Sequence, residues 1–398
     1  MNTPARHPGG APAFPAHLSE TLPWTSRTGR RPEITTYDAS IPPTIAALPI
    51  TLDPDTLDAC RRAAIEIALL DHDENANLAA IEPFLLRTEA IASSRIEEEL
   101  TTVDQFARAE AGIKAPKSAR TVKAAIDGLR HMVDNSSDGI TLDTILAAHR
   151  PMFIGDSHEG QYAGRLRDMQ NWIGGSDRSP LGAAHVPPAP GRVPELMDDL
   201  VAFANRTDLD PVVQAAIAHT QLESIHPFTD GNGRVGRSLI NGVWRHRGLT
   251  TAVAVPVASA IVADRDHYFH LVDRYRTGDT AFVAYLADVA ARAAREARVS
   301  ATTIVALPAR WQETVHARAG SAAAELLRLL PANPIVDADD VKRLTGASTT
   351  GAYGAINRLV DAGVLRPITQ SRRDMTWAAG DVLDEADDLV SRLRVGAR

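Results

Sequence analysis

Between His226 and Arg237 the chain reads His-Pro-Phe-Thr-Asp-Gly-Asn-Gly-Arg-Val-Gly-Arg without interruption. A titratable base, a carboxylate, a Gly-Asn-Gly turn and two arginines fall in one short stretch, and phosphate chemistry uses each of them. Backbone N–H groups that converge at a helix N-terminus hold an anion well. Arg234 and Arg237 stand three apart, so in the first turns of a helix they share one face. His226, on the far side of the turn, is placed to accept a proton from an incoming hydroxyl.

Asp-Gly and Asn-Gly pairs also signal tight β-hairpins. The flanks oppose that reading here. Pro211 to Ile225 is alanine-rich and sparsely polar, as a buried helix is, and Val235, Leu239, Ile240 and Val243 recur at helical spacing. The turn therefore joins two helices. A calcium loop begun at Asp230 would put Asn241 at its twelfth position, where a bidentate Glu is required. A Gly-x-x-x-x-Gly-Lys-Ser/Thr phosphate loop needs a lysine and a preceding strand, and both are missing.

The segment resembles the signature of the Fic (filamentation induced by cAMP) family, His-x-Phe-x-Asp/Glu-Gly-Asn-Gly-Arg-x-x-Arg, at every fixed position. Proteins of that family mostly transfer AMP from ATP to a Tyr, Ser or Thr hydroxyl of a protein, releasing pyrophosphate. The resemblance implies a role for each residue. His226 is the general base, which suits a side chain that titrates near neutrality. Asp230 holds a Mg²⁺ that bridges the phosphates, since a hard cation prefers carboxylate and phosphate oxygens. Gly231, Asn232 and Gly233 form the anion hole, where glycine lets the backbone approach. Arg234 meets the β-phosphate and Arg237 the γ-phosphate through planar donor forks. Phe228 reads as a core anchor for the loop. A branch of the family with Lys in place of Gly233 phosphorylates its targets, so glycine favours AMP transfer. UMP or phosphocholine transfer stays open on the motif alone. Tyr268, with Phe269, resembles the aromatic pair that walls the adenine. His149, His219, His267 and His270 lack Cys or carboxylate partners at ligand spacing and read as ordinary helix histidines.

Upstream, Ser93-Ser94-Arg95-Ile96-Glu97-Glu98 resembles the family's inhibitory-helix motif, Ser/Thr-x-x-x-Glu-Gly/Asn. The resemblance implies that Ser93 and Glu97 belong to a brake in which Glu97 pairs with Arg237 and denies it to the γ-phosphate. Glu98 departs from the pattern, and Ser94 with Glu98 offers a second frame; the Glu97 frame is preferred. A glutamate there can also orient a water, which would allow removal of AMP. Between the two motifs, Gly174 to Pro180 is too rich in glycine and proline for a helix. Ala184, His185 and Val186 follow it, and the resemblance implies a β-hairpin flap that docks the target backbone by strand addition.

The elements that must carry these residues are mostly helical. The expected class is mostly α: a Fic-fold helical core with a small β-hairpin flap, a helical N-terminal region and a C-terminal winged helix-turn-helix. The expected divisions are a poorly ordered 1–50, a helical 51–135 with the inhibitory motif, a catalytic core at 136–302 and the winged helix at 303–398. Thr141 is a plausible N-cap. In the last region Val364 to Thr369 and Asp374 to Ala378 alternate as a two-stranded wing, and Lys342, Arg343, Arg358, Arg366, Arg372 and Arg373 could supply a basic face for DNA. Protein docking or dimerisation is the competing use, because fold does not fix function. Two functions thus stand side by side: a self-restrained AMP transferase, acting on other proteins or itself, and a transcriptional regulator that uses its core to sense nucleotides. An intact base and carboxylate favour the enzyme.

Composition sets outer bounds. The net charge of −8 gives no whole-chain attraction to nucleic acid or membrane, and one cysteine, Cys60, rules out an internal disulfide. Met1 to Arg31 lacks the apolar core of a signal peptide, and no run approaches the ~20 apolar residues of a membrane span. A cytoplasmic protein with access to ATP is expected, and a homodimer is a family-based expectation.

Overall fold

Helix α7 (Pro211–Ile225) and helix α8 (Asn232–His246) flank the Gly-Asn-Gly turn, as the spacing predicts. Helix α7 starts where the Asp210 carboxylate accepts the N–H groups of Val212 and Val213, with proline at the first helical position. It stops at His226, whose φ of 48° lies in the left-handed region. Both helices are buried on nearly every side, which explains why apolar and small residues dominate their length.

The computed structural model describes residues 14–25, 34–72, 78–154, 159–176, 178–368 and 375–395. Two compact units interleave along the chain. One comprises Met1–Ala64, Gly128–Leu249 and Arg265–Asp288; the other comprises Ile65–Asp127, Thr250–Asp264 and Val289–Arg398. Earlier helices are α1 (Pro54–Asp71), α2 (Leu78–Ile96), α3 (Val103–Glu110), α4 (Lys117–Asp134), α5 (Leu142–His149) and α6 (Val193–Ala204). Later ones are α9 (Val257–Ile261), α10 (Arg265–Tyr275), α11 (Ala281–Val315) and α12 (Ala322–Leu329).

In the first unit, α7 and α8 pack on each other, α6 and α10 pack on α7, and α5 packs on α8. Phe203, Phe228, Leu239 and Trp244 are fully buried among them. Thr141 caps α5 as expected, accepting from the Thr144 N–H. The stretch before residue 50 departs from expectation. Strand β1 (Leu18–Pro23) pairs antiparallel with β2 (Thr36–Ile41), Leu18 opposite Ile41. Beyond the strands, the Asp199 carboxylate accepts the N–H groups of Ile45 and Ala46, and Gln221 donates to the Pro43 carbonyl. Proline and glycine density suggested a poorly ordered segment, but what holds these residues are partners on α6 and α7, far away in sequence.

In the second unit, α2 packs on α9, and the Glu89 carboxylate accepts the Ala258 N–H inside α9. Asp71 accepts from the Thr251 hydroxyl and from the N–H groups of Thr251, Ala252 and Val253. The C-terminal part adds β3 (Ile335–Asp337), α13 (Ala338–Thr345), α14 (Thr349–Asp361), β4 (Leu365–Pro367), β5 (Thr376–Ala379) and α15 (Gly380–Val395). Its sheet has three strands in the order β3-β5-β4, one more than the two-stranded expectation. The acidic tail after Gly380 is a helix that buries Val382, Leu389 and Leu393. Arg372 and Arg373 lie outside the described residues. No helix among the described residues is long and apolar enough to cross a membrane.

Candidate active site

His226 is held by its backbone. Its N–H donates to the Leu222 carbonyl, and its own carbonyl accepts from Arg167 Nε at 2.8 Å. Arg167 also donates to the carbonyls of Pro188 and Met169, and its N–H donates to the Pro227 carbonyl. A buried guanidinium needs several acceptors, and here they are backbone carbonyls, that of His226 in the turn and those of Met169 and Pro188 outside it. Arg167, through its side chain and its N–H, thus fixes the left-handed His226 and the residues on either side. Desolvation first, then Arg167 and Arg276, push the His226 pKa below its ordinary 6.5. The ring is therefore neutral at pH 7, the state a base requires.

The turn itself is cross-braced. Asn232 donates from its amide to the Phe228 carbonyl and accepts the Phe228 N–H, and Asn171 donates to the same carbonyl. Gly231 has a φ of 82°, and a Cβ there would lie 3.0 Å from the Phe153 ring. Only glycine meets both demands. No side chain caps α8. The first-turn N–H groups of a helix need a partner, so an uncapped N-terminus suits an anion.

The charged groups divide by exposure. The Asp230 side chain is 62% exposed and sits 3.3 Å from Arg234 Nη2, whereas the Arg234 side chain is 4% exposed. Among the described residues no group of three or more His, Cys, Asp or Glu could hold a metal ion. One exposed carboxylate instead fits a Mg²⁺ whose other ligands are phosphate oxygens and water. Under the turn, His149 stacks on Phe228 at 4.0 Å, and its Nδ1 accepts the Gly164 N–H. Its Nε2 must then carry the proton and donate to the Asp230 carbonyl at 3.0 Å. Burial pushes its pKa down to about 4, in keeping with that neutral tautomer. His149 therefore braces the carboxylate's own backbone. Neither Arg167 nor His149 carried a site role in the sequence reading, since both act on carbonyls that no spacing displays.

Two expectations change on contact with the structure. Tyr268 is 1% exposed, so it offers no open ring face to a base; Phe269 beside it is 36% exposed. In the flap, Ile173 and His185 form an antiparallel bridge and Ser176 and Ser179 a second, in keeping with a small hairpin. The His185 side chain turns inward, its Nε2 3.0 Å from the Ser224 carbonyl, and the Val186 carbonyl accepts the Ser40 N–H of β2. Of the three flap residues, Ala184 alone is exposed. Trp24 meets both Tyr37 and Trp172 edge-on, so the β1–β2 pair braces the flap.

The segment Ser93 to Glu99 forms a helix C-cap. Helix α2 ends at Ile96; the Glu98 N–H donates to the Arg95 carbonyl and the Glu99 N–H to the Ser94 carbonyl. That is a Schellman pattern, with Glu97 as the cap residue and Glu98 next, at a φ of 63°. Glycine or asparagine is favoured at such a position, and Glu98 stands there.

Residues 139–243 match the Fic/DOC family. A curated relative, protein adenylyltransferase Fic of Nematostella vectensis, is 33% identical over 175 residues, covering 43% of this chain and 37% of the relative. That of Aedes aegypti is 28% identical over 244 residues, covering 60% and 43%. The chain thus spans less than half the length of these relatives. Among solved structures, a Fic family protein from Desulfovibrio desulfuricans aligns over 83% of this chain and 97% of its own, with a TM-score of 0.53 and 21% identity, a likeness of fold. Fic-1 of C. elegans (residues 134–508) aligns over 63% and 73%, with a TM-score of 0.50 and 26% identity.

Proposed function

This chain carries a Fic/DOC family domain at residues 139–243, and we propose that it is a protein adenylyltransferase. The observation that carries the reading is the uncapped start of α8, with neutral His226 across the turn and Arg234 and Arg237 on its first turns. His226 takes the proton of a Tyr, Ser or Thr hydroxyl. The oxygen bonds to the α-phosphorus of ATP, the bond from that phosphorus to the β-bridging oxygen breaks, and pyrophosphate leaves. The N–H groups of Asn232 and Gly233 face the phosphate charge, and Arg234 and Arg237 hold the β- and γ-phosphates. A Mg²⁺ held by Asp230 and the nucleotide supplies charge neutralisation when bound. Ala184 to Val186 hold the target backbone near His226, and Phe269 takes the adenine-wall role first given to Tyr268.

Glu97, presented at the end of α2 after Ser93, is the proposed restraint, competing with the γ-phosphate for Arg237. Residues 51–135 would then form the regulatory region, 136–302 the catalytic core and 303–398 a winged-helix module. A cytoplasmic enzyme that modifies itself or another protein fits this reading, and dimerisation would be one use of the last module.

The test uses ATP labelled on the α-phosphate, Mg²⁺ and a cell lysate. Wild type, Glu97→Gly and Glu97→Gly/His226→Ala are compared by label and intact mass. The expected result is label in Glu97→Gly, with at least about 10²-fold less in the double variant. Absence of label on this chain and on every lysate protein would overturn the reading. Equal label in wild type and Glu97→Gly would keep the enzyme and remove Glu97 as its restraint.

A further inference from the structure

Arg237 is almost entirely buried, with 1% exposure, although its proposed partner is a phosphate. A buried guanidinium must be aimed, since an arginine that turns a few tens of degrees presents a different pair of donors. Its Nη1 lies 3.3 Å from the Tyr268 hydroxyl, and that hydroxyl lies 2.9 Å from Nε2 of His219. All three side chains are buried. We infer that Tyr268 and His219 form a positioning pair that aims Arg237 at the γ-phosphate. This inference rests on the adenylyltransferase reading above and adds two residues to it.

Proton counting gives the pair its direction. Arginine can only donate, so the Tyr268 oxygen accepts from it. The hydroxyl proton is then available to Nε2 of His219, which can accept it because the ring is neutral. Desolvation, with Arg237 nearby, pushes the His219 pKa down to about 3. Both members are uncharged, so they orient the guanidinium without themselves neutralising it. A carboxylate in Tyr268's place would compete with the nucleotide.

The packing around His219 leaves the ring little freedom. It stacks on Phe282 at 5.4 Å and lies 5.8 Å from the Tyr268 ring, measured between centroids. From α8, Gly236 presses on it: a Cβ there would sit 3.0 Å from Nδ1 and 3.1 Å from a Glu223 oxygen. His219 lies seven residues before His226, two helical turns back along α7, and Gly236 directly precedes Arg237. The two spacer positions of Arg-x-x-Arg are therefore not equivalent here, because the second must be small to admit the ring.

The pair is tested by nucleotide affinity, because only ATP carries the γ-phosphate. Calorimetric Kd values for ATP and ADP, with Mg²⁺, are measured on full-length Glu97→Gly and on the same chain with one further change. Arg237→Ala should weaken ATP and leave ADP within twofold. Tyr268→Phe keeps the ring and removes only the hydroxyl; it should weaken ATP by about tenfold, again sparing ADP. His219→Leu should behave likewise, and His219→Gln, whose amide oxygen can accept the tyrosine proton, should restore ATP to within about threefold. Gly236→Ala reaches the same ring from α8 without touching the hydroxyl and should reproduce the loss. An unchanged ATP-to-ADP ratio in Tyr268→Phe, with the ratio collapsed in Arg237→Ala, would overturn the pair and leave adenylyl transfer standing. Equal weakening of both nucleotides by Tyr268→Phe would make its role structural and overturn the pair as well. A ratio untouched by Arg237→Ala would remove the phosphate role from which both readings start.

Discussion

At the scale of single residues, the site depends on histidines kept neutral by burial. Desolvation is the largest cause of lowered pKa for His149, His185, His219 and His226. The sign has two consequences. A base whose pKa falls stays unprotonated further into acid, so the acid limb of kcat/KM for AMP transfer should lie at least one unit below pH 6.5. A limb at 6.5 or above would mean that His226 is solvated in the working enzyme. The second consequence concerns stability. Each folded-state pKa lies below its unfolded value, so protons bind the unfolded chain more tightly. Stability is then full above about pH 6.5 and falls as pH drops toward the folded values, by up to about 1.4 kcal/mol per unit for each group. Denaturant midpoints at pH 7.5, 6.5 and 5.5 measure that fall directly; midpoints that do not move would show that the rings titrate in the fold as they do in the unfolded chain.

At the scale of elements, the end of α2 offers a prediction that its composition hides. Glu98 occupies the left-handed position of a Schellman cap at a φ of 63°. A side chain there costs about 1 kcal/mol relative to glycine. Glu98→Gly should therefore be more stable by about 1 kcal/mol than Glu98→Ala, a comparison that removes the carboxylate from both sides. Equal denaturant midpoints would mean that the cap does not form in solution. Such caps show why legibility was uneven. The pair α7 and α8 could be read because helical spacing, the Asp210-Pro211 start and the glycine turn are all local signals. The Ser93-to-Glu98 run was readable as a pattern, but the left-handed turn at Glu98 appears only in the backbone. Strands β1 and β2 and the residues after them were missed because their partners, Trp172 for Trp24, Asp199 for Ile45 and Gln221 for Pro43, are each more than a hundred residues away. Arg167 and His149 were missed for a similar reason: both hold carbonyls, which every residue type has, so no motif marks them.

For the whole molecule, the question left by the sequence is whether the C-terminal part reads DNA. Six basic residues raised that possibility. The structure pairs three of them with carboxylates: Lys342 with Asp339 at 2.9 Å, Arg343 with Asp340 at 2.7 Å and Arg366 with Asp104 at 2.8 Å. Arg358 donates instead to the carbonyls of Val315 and His316. Exposed pairs of this kind are individually weak, about 1 kcal/mol or less, so a phosphate could displace a partner. Displacement would not help much, because each freed carboxylate remains beside the backbone and repels it. DNA affinity grows with the number of phosphates neutralised, and three of the four described cations bring their own anion on a chain of net charge −8. The full-length protein should therefore leave a 30-base-pair duplex unshifted at micromolar concentration and 150 mM salt, for mixed sequence and for a selected pool alike. A complex that weakens steeply with salt, with a slope of several charges and a preference for one sequence, would show that the acidic partners move aside and would restore the regulator reading.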